Sequence, residues 1–317
     1  MRGIVESKSF AKKVDAITWA AARESEIRAG GEGRVPDILF GALLERYRDT
    51  ILPDRTGRRM EGILIRQWLQ APFSGISLTK IAPIDFIKWR DQRLKEVSPA
   101  TVIRELGFLS SVCTHAIKEW RVLQKNPLEE VSRPPEPEAR DRRITKEEIE
   151  RLLYVLGYTP DGALKTKNSR IGALFLFAIE TAMRAGEIRT LRRSDVDLVQ
   201  RVAKVRGTEV GAGKTRAARR DVPLSSEAVR ILKQLPALDE TWFSVGTAAS
   251  LDANFREAKK KAAIEDLHFH DTRHEAITRL SRKLDVLALA RAIGHKDLKQ
   301  LLVYYNETAE NLALRLD

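Results

Sequence analysis

The sequence predicts a mainly α-helical fold, with an all-helical domain first and then a mixed α/β domain that is mostly helical and contains a small antiparallel sheet. Three observations lead to this prediction. From Ile38 to about Val131, apolar residues recur at helical spacing and no strand pattern interrupts them. Two short segments, Val202–Val205 and Arg220–Pro223, read as strands around a glycine-rich turn. Between the two regions, residues 132–143 are rich in proline and charge, which predicts an extended and exposed linker.

The first predicted elements are an N-terminal strand-helix segment, residues 1–33, and the helical domain of residues 34–131. Ser9-Phe10 indicates the end of a short strand, and the amphipathic pattern after it predicts a helix that closes at Gly30-Gly31. The clearest helix start in the chain is Ser98-Pro99, an N-cap followed by proline at the first helical position. The apolar stripe of the first helix in the domain consists of Phe40, Leu44, Tyr47 and Ile51.

Residues 144–317 form the second predicted domain. Thr145-Lys-Glu-Glu148 is a capping box, in which each end residue satisfies a backbone N–H of the other, and it opens a helix. Ile171–Thr181 is apolar on nearly every side, so this helix should lie at the centre of the domain. After the strands, Ser225 or Ser226 caps another helix, and helices follow to the end of the chain.

The chain is strongly basic. Lys and Arg number 56 against 44 for Asp and Glu, a formal net charge of +12, which suits a protein that neutralises phosphates but also a membrane surface or mere solubility. The single cysteine, Cys113, excludes an intramolecular disulfide and a cysteine-rich zinc site. The N-terminus lacks the apolar region of a secretion signal, and the longest apolar run, Ala173–Ile179, is far shorter than the ~20 residues of a membrane span. We therefore expect a cytoplasmic protein.

The segment Gly207-Thr-Glu-Val-Gly-Ala-Gly-Lys-Thr215 invites comparison with a nucleotide-binding P-loop, Gly-x-x-x-x-Gly-Lys-Ser/Thr. The spacing fails by one residue, because threonine occupies position 208, where the motif needs glycine. The context fails as well, because the residues before Pro223 are too few for the long helix whose N-terminus binds phosphate. The segment therefore predicts a hairpin tip that carries Lys214, and not an ATP site.

Four of the five histidines fall between positions 268 and 295. The i, i+4 spacing of His270 and His274 could chelate zinc, but Arg273 between them would place a permanent cation beside the metal. A metal site is therefore disfavoured. Local packing is the usual role of a single histidine, and the clustering of four weakens that interpretation.

Arg184 directly follows the apolar helix, in Glu180-Thr-Ala-Met-Arg-Ala-Gly-Glu-Ile188. An arginine at such a position is commonly a surface or capping residue. Two features favour a functional role instead: a rigid buried helix fixes its backbone, and Glu187, three residues later, can orient its guanidinium group.

Taken together and in this order, the segments resemble the motifs of the tyrosine recombinases, the phage-integrase family of site-specific DNA strand-exchange enzymes. The matching segments are Thr181-Ala-Met-Arg184-Ala-Gly-Glu187-Ile for the first-arginine box, Lys214 with Arg220-Asp-Val-Pro-Leu224 for the β-hairpin lysine, His270-Asp-Thr-Arg273-His274 for the His-x-x-Arg box, and Ile293-Gly-His295 for the Leu-Gly-His box. In this family the nucleophilic tyrosine commonly lies nine residues after the last histidine, which selects Tyr304 from the adjacent pair Tyr304-Tyr305. Neighbouring helical side chains point about 100° apart, so Tyr305 should pack or hydrogen-bond elsewhere.

The resemblance covers most of the chain. Ser98-Pro-Ala-Thr101 and Asn126-Pro127 are similar to the helical core-binding domain of the family, and residues 1–33 resemble the remnant of an arm-binding module found in many integrases. This segment favours a phage or mobile-element enzyme over a housekeeping resolvase.

The sequence departs from the family pattern at three places. Ile293 replaces the usual leucine, and Thr272 stands where leucine is common. The turn that carries Lys214 is one residue longer than usual, so Lys204 remains an alternative for the hairpin lysine.

The resemblance implies an enzyme that cleaves and rejoins duplex DNA through a 3′-phosphotyrosine intermediate and a Holliday junction. Because one phosphodiester replaces another, neither ATP nor a metal is needed in principle, and we expect no cofactor. The implied catalytic residues are Arg184, Lys214, His270, Arg273, His295 and Tyr304, with Glu187 and His274 in support.

Each of these residue types suits a step of the reaction. A tyrosine hydroxyl has a pKa of about 10, so Tyr304 needs a base, and His270 is the expected proton acceptor. The two arginines can each bind two phosphate oxygens and stay charged, and His295 can donate to the phosphate. The hairpin lysine suits the role of general acid toward the leaving 5′-oxygen.

The resemblance also implies partners. The two domains would close around duplex recombination sites as a clamp, and a homotetramer would assemble on two such sites, which implies a nucleoid association and no membrane. Candidate DNA contacts in the helical domain are Lys88, Arg90, Thr101 and Arg104, for which an ordinary solvated helix face is the alternative. The tail, residues 307–317, has an apolar stripe that would dock into a neighbouring protomer or pack on its own domain, and accessory DNA-bending proteins are a further class of partner.

Four other functions stay open at this point. A type IB topoisomerase would share the chemistry and relax DNA of any sequence, and a Xer-like enzyme would resolve chromosome dimers. A DNA-binding regulator derived from a recombinase would not need all six polar positions. A P-loop NTPase acting on DNA would hydrolyse ATP.

Overall fold

The computed structural model describes residues 8–10, 13–14, 16–20, 37–55, 57–137, 140, 142–206, 219–295 and 297–305. The chain divides into two compact units, Met1–Glu138 and Ala139–Asp317, and each has its own hydrophobic core.

The first unit is helical. Its main helices are α1 (Phe40–Thr50), α2 (Arg58–Trp68), α3 (Pro83–Arg93) and α4 (Pro99–Lys118), with 3-10 turns at Leu52–Asp54 and Pro72–Gly75. Phe40, Phe73 and Phe86 pack ring against ring in the core and are almost fully buried. The predicted stripe of α1 is confirmed for Phe40, Leu44 and Tyr47, which are all buried, whereas Ile51 lies just after the helix and is half-buried against the same core.

A buried ion pair fixes α3 against α4. Glu105 of α4 is 3% exposed, and its two carboxylate oxygens accept hydrogen bonds from Arg93 Nη2 and Nε of α3, at 2.8 and 3.0 Å. Such a two-point pair fixes orientation as well as distance. The faces of α3 and α4 that carry the candidate DNA contacts are thereby set relative to each other.

Two details of the first unit differ from expectation. Ser9 and Phe10 are not in a strand, because no described residue pairs with them, and Phe10 instead packs on Trp19, with ring centroids 5.5 Å apart. Ser98 is the N-cap residue of α4, but its hydroxyl bonds with Thr101 Oγ1 at 3.0 Å and caps no backbone N–H.

The second unit is a mostly helical α/β fold. Its elements are α5 (Lys146–Leu156), α6 (Lys167–Thr181), α7 (Ala185–Arg189), β1 (Val196–Asp197), β2 (Val202–Val205), β3 (Arg220–Pro223), α8 (Ser226–Gln234), α9 (Ala248–Lys261), α10 (Asp271–Ser281), α11 (Val286–Ile293) and α12 (Lys299–Leu302). The strands form an antiparallel sheet in the order β1-β2-β3, with Ala203 paired to Val222.

Local signals in this unit are confirmed. Thr145 and Glu148 form the reciprocal capping box at the start of α5, and Ser225, not Ser226, caps α8. Helix α6 is buried along nearly its whole length and packs against α5, α7, α8, α9 and α10. A helix that is apolar all round is stable only in such a central position. Its C-terminal end is therefore a rigid support for the chain that continues into α7.

The C-terminal part of the predicted linker is bound to the second unit. Arg140 bonds to Asp271 and Asp266, and Arg143 Nε donates to Glu275 Oε2 at 2.8 Å. Residues 132–137 have no regular structure, as expected, but these arginines hold the linker against α10.

The predicted fold class is confirmed: the structure is mainly helical, with one small antiparallel sheet in its described part. No helix among the described residues combines the length and the apolar character needed to cross a bilayer.

Candidate functional site

Arg184 begins α7 directly after the buried end of α6. Ala182 ends α6 in the left-handed conformation, with φ of 53°, and this reverses the chain so that Arg184 becomes the N-cap of the next helix. Ala182 and Met183 are almost fully buried, whereas the Arg184 side chain is 51% exposed. The site thus presents a guanidinium group to solvent from a backbone that is held by the core.

Glu187 joins two arginines. Its carboxylate accepts from the backbone N–H of Arg184 at 2.8 Å and from Arg184 Nη1 at 3.2 Å. It also accepts from Arg220 Nη1 at 3.0 Å and Nη2 at 2.9 Å. Burial disfavours the charged carboxyl, but the hydrogen bonds and charge of Arg220 outweigh this cost, so the pKa of Glu187 lies below its usual value. Glu187 is therefore ionised at neutral pH and orients Arg184, as expected.

Arg273 is the most buried of the cations that the structure describes at the site. Its Nη2 donates to Ile293 O at 2.9 Å and its Nη1 to Ala182 O, and the residue is 5% exposed. Burial, followed by the positive charge of Arg184 and then of Arg220, lowers the pKa of Arg273 to about 10. The guanidinium group stays protonated at neutral pH, and a bound anion would stabilise this charged form.

His270 lies at the N-terminal end of α10, three residues before Arg273. Desolvation of the ring, and then the charges of Arg273 and of other nearby cations, lower the pKa of His270 below its usual value. The ring is therefore neutral at pH 7 and able to accept a proton.

Tyr304 and Tyr305 have different hydrogen-bonding partners. The Tyr304 hydroxyl lies 2.7 Å from His274 Nδ1, and the Tyr305 hydroxyl donates to Leu284 O at 2.7 Å. Both rings pack on a small apolar cluster that includes Ile277. The expected separation of the two phenols is present, but the histidine in contact with Tyr304 is His274, whereas His270 was the proton acceptor expected from the sequence.

His295 follows the end of α11. Gly294 ends this helix in the left-handed conformation, with φ of 69°, and the His295 backbone N–H then donates to Ala290 O. Its ring Nδ1 lies 3.1 Å from Asp297 O. Arg273 donates to the carbonyl of Ile293, two residues before His295, so the two residues are connected through the end of α11.

Several expected residues lie elsewhere or outside the described part. Lys214 and the tail 307–317 belong to the residues that the structure does not describe, whereas the alternative Lys204 is exposed on β2. In the first unit, Lys88 is exposed on α3, and Arg90 is bonded to Ser132 O at 2.7 Å and to Asp91. On α4, the Thr101 hydroxyl meets Ser98 and the exposed Arg104 donates from Nε to Ala100 O.

Arg220 is the site residue to which sequence reasoning gave no role. Its side chain is only 6% exposed and lies on the same strand face as buried Val222. A charged residue on the inward face of a strand must have a buried partner, and this alternation was the available signal. Glu187 as that partner could not be read from the sequence.

Comparison with known proteins gives a consistent result. The model described as the phage integrase family matches residues 142–311. A putative integrase/recombinase of Haemophilus influenzae is 39% identical over 307 residues, which covers 94% of this chain and 81% of the relative. The solved structure of the Tn1549 transposon integrase in complex with a circular intermediate DNA aligns with a TM-score of 0.68 at 18% identity, over 88% of this chain and 99% of that one. The lambda integrase tetramer bound to a Holliday junction aligns with a TM-score of 0.64 at 16% identity, over 92% of this chain and 88% of that one. At such low sequence identities, the two structural alignments show that the fold is similar and nothing beyond the fold.

Proposed function

The chain belongs to the phage integrase family of tyrosine recombinases, and on that premise we propose that it is a site-specific recombinase that forms a 3′-phosphotyrosine intermediate through Tyr304. The observation that carries this proposal is the environment of the Tyr304 hydroxyl. The hydroxyl lies 2.7 Å from Nδ1 of His274, and His274 is on the helix that carries Arg273 and has His270 as its N-cap. A phenol, two imidazoles and buried or oriented guanidinium groups are the components that phosphoryl transfer to tyrosine requires.

The nucleophilic step places Tyr304 Oη on the scissile phosphorus. The O–P bond to tyrosine forms while the bond to the 5′-oxygen of the next nucleotide breaks. We propose that His274 holds the phenol in position and that neutral His270 accepts its proton, since the pKa of His270 is lowered. Lys214, which lies between β2 and β3 in the sequence, protonates the leaving 5′-oxygen. The reverse reaction with the 5′-hydroxyl of another strand rejoins the DNA.

The arginines stabilise the charge that gathers on the non-bridging phosphate oxygens. Arg184 is exposed and held by Glu187, so one side of its guanidinium group stays available to a ligand. Arg273 is fixed by the hydrogen bonds that it donates to Ala182 O and Ile293 O. Burial, and then the charges of Arg184 and Arg220, lower the pKa of Arg273, so a bound phosphate would stabilise its charged form. Such donors, fixed before the substrate arrives, cost no reorganisation at the transition state. His295 is the further donor to the phosphate.

The remaining parts of the proposal concern DNA binding and assembly. We assign residues 34–131 to core-site binding through Lys88, Arg90, Thr101 and Arg104, residues 132–143 to the linker, and residues 144–317 to catalysis. We propose assembly as a tetramer on two DNA sites, the arrangement in which lambda integrase, a protein of similar fold, is bound to a Holliday junction. Docking of the C-terminal tail, residues 307–317, into a neighbouring protomer is a further part of the proposal. We also propose a phage or mobile-element origin, which the resemblance of residues 1–33 to an arm-binding remnant favours.

The test is covalent capture of DNA. The wild-type protein is expressed in its host or exposed to host and element DNA, denatured, and the DNA bound covalently to it is sequenced, which reports the site and the cleaved phosphodiester together. Tyr304→Phe should bind DNA but yield no adduct. Tyr305→Phe is the matched control, because it also loses one hydroxyl, and its adduct yield should be unchanged. Adduct formation by Tyr304→Phe at the wild-type yield would contradict the assignment. Relaxation of plasmids of any sequence would indicate a topoisomerase instead.

A further inference from the structure

Arg220 has three hydrogen bonds that point in two directions. Its Nη1 and Nη2 donate to the two oxygens of Glu187, at 3.0 and 2.9 Å, and its Nε donates to Ala292 O at 3.1 Å. The side chain is 6% exposed, so water screens these contacts little. A parallel two-point pair with a carboxylate is the strongest and most directional arrangement that arginine makes.

On one side, Arg220 fixes the carboxylate that orients Arg184. Glu187 accepts from both the backbone N–H and the side chain of Arg184, and without Arg220 its carboxylate would keep only these contacts with the residue that it orients. Arg184 is half exposed, so its direction depends on this contact more than on packing.

On the other side, Arg220 binds the end of the helix that precedes His295. The carbonyls of Ala292 and Ile293 are among the last of α11, which have no partner within the helix. Arg220 donates to the first and Arg273 to the second. Cations are also favoured there by the negative end of the helix dipole. His295 follows two residues later, so its position depends on these two contacts.

We infer that Arg220 is a positioning residue that holds Arg184 and His295 in one arrangement before DNA binds. This inference rests on the proposed function of the site. Arg220 touches Glu187 and the main chain of α11, so it acts on the phosphate through other residues. Lysine could not replace it, because an ammonium group lacks the planar fork that reaches both Glu187 oxygens and Ala292 O together.

The test uses the full-length protein and a nicked duplex that carries the site found by covalent capture. The rate constant of adduct formation at saturating protein and the Kd for the duplex are measured separately. Arg220→Lys should lower the rate constant roughly 10–100-fold, because the aligned donors lose their geometry, and should leave the Kd within about twofold. Arg170→Lys is the matched control, since Arg170 is 8% exposed and donates to three main-chain carbonyls away from the site. Its rate constant should stay within about twofold of wild type.

A second substrate separates positioning from general loss of structure. In a methylphosphonate at the cleavage site, a methyl group replaces one charged non-bridging oxygen, so the arginines have less charge to stabilise. On this substrate, the rate constant of Arg220→Lys should therefore lie within about threefold of the wild-type rate constant. A purely structural defect would lower both rates alike, and that result overturns the inference, as does an unchanged rate on the phosphodiester.

Glu187→Gln weakens the same ion pair by changing its acidic partner. It is the alternative variant if Arg220→Lys does not fold. Its deficit should not exceed that of Arg220→Lys, which also disturbs the contact with Ala292 O, and the double variant should be no worse than Arg220→Lys, because both substitutions break the same ion pair. Deficits that multiply would mean that Arg220 acts independently of Glu187. If the wild-type protein forms no adduct on the captured site, the proposed function fails first, which is distinct from failure of Arg220 alone.

Discussion

The two adjacent tyrosines show how one residue step changes the environment of a phenol. The Tyr304 hydroxyl meets an imidazole, whereas the Tyr305 hydroxyl meets the carbonyl of Leu284. Burial, and then the negative charge of Asp285, raise the pKa of Tyr305, which keeps that phenol protonated. The count of nine residues from His295 and this difference in partners favour Tyr304 independently.

His270 should control the pH dependence of cleavage. Its pKa is lowered by desolvation and by Arg273, so in the free protein the ring loses its proton below pH 6.5 and is a base at neutral pH. The second-order rate constant of adduct formation, which reports the free protein, should therefore rise with pH to a plateau, with a midpoint below 6.5. His270→Gln should lower the plateau by about 10²–10⁴-fold and remove this dependence.

His274→Gln is the comparison for that experiment. It removes the contact of Tyr304 but keeps the proposed base, so it should lower the rate while the rise with pH remains. If His270→Gln kept the pH dependence and His274→Gln removed it, the roles of the two histidines would have to be exchanged.

Glu187 should contribute stability that disappears in acid. Its folded pKa is lower than the ~4.3 of an unfolded chain, so its ionised contacts stabilise the fold above that value, and the contribution is lost as the pH falls through the folded pKa. Glu187→Gln should therefore cost about 1–3 kcal/mol in the free energy of unfolding at pH 7 and progressively less below pH 4. Urea denaturation from pH 7 to pH 3 measures the difference. Glu257→Gln, which removes an exposed partner of Lys261, is the control and should be nearly neutral. A difference for Glu187→Gln that does not change with pH would contradict this.

At the scale of elements, α10 carries two of the proposed site residues, Arg273 and His274, with His270 as its N-cap, and the linker holds its N-terminal end. Asp271 is 1% exposed and accepts from Arg140 Nε and Nη2, at 2.8 and 2.9 Å, and from the backbone N–H of His268. Burial opposes its charge, but these hydrogen bonds and the charge of Arg140 lower the pKa of Asp271. Because Asp271 lies between His270 and Arg273 in the chain, the linker contact bears on the geometry of the site.

Arg140→Ala should therefore loosen the start of α10. Asp271 would remain a buried carboxylate without its cation, a cost that we set at about 1–2 kcal/mol because Arg140 itself is partly exposed. Hydrogen exchange of the backbone amides of residues 271–275 should accelerate more than that of α6. Arg48→Ala, which removes an exposed pair with Asp49, is the control and should leave both measurements unchanged. Equal effects of the two substitutions would show that the Arg140 contact is unimportant.

How far the sequence predicts these elements depends on the distance between interacting residues. The capping box at Thr145, the strand bounds around the hairpin and the buried helix α6 were predictable, because each depends on residues within one turn or one strand. The contact of Arg140 with Asp271 spans 131 positions, and that of Arg220 with Glu187 spans 33. A charge pattern shows that such residues need partners, but the fold decides which partners they obtain.

For the whole molecule, the positive charge predicts that affinity for DNA depends steeply on salt. The formal net charge is +12, and each phosphate that a cation neutralises releases counterions. The logarithm of the binding constant should fall with the logarithm of salt concentration by about 0.9 for each phosphate contact. Binding to a membrane surface or mere solubility would give no such dependence on a duplex.

The same titration can test whether the charge acts through particular residues. Lys88→Gln and Lys146→Gln each remove one positive charge, and both lysines are exposed, but only Lys88 is a proposed DNA contact. Lys88→Gln should reduce the magnitude of the salt slope by about one and weaken binding to all sequences alike. Lys146→Gln should leave the slope unchanged.

Arg90→Gln should have a smaller effect than Lys88→Gln, because the guanidinium of Arg90 is already engaged by Ser132 O and Asp91. Filter binding of a labelled duplex between about 50 and 200 mM salt measures all four proteins. Equal slopes for the Lys88 and Lys146 variants would mean that α3 makes no phosphate contact through Lys88 and that the basic character of the chain acts only as a diffuse field.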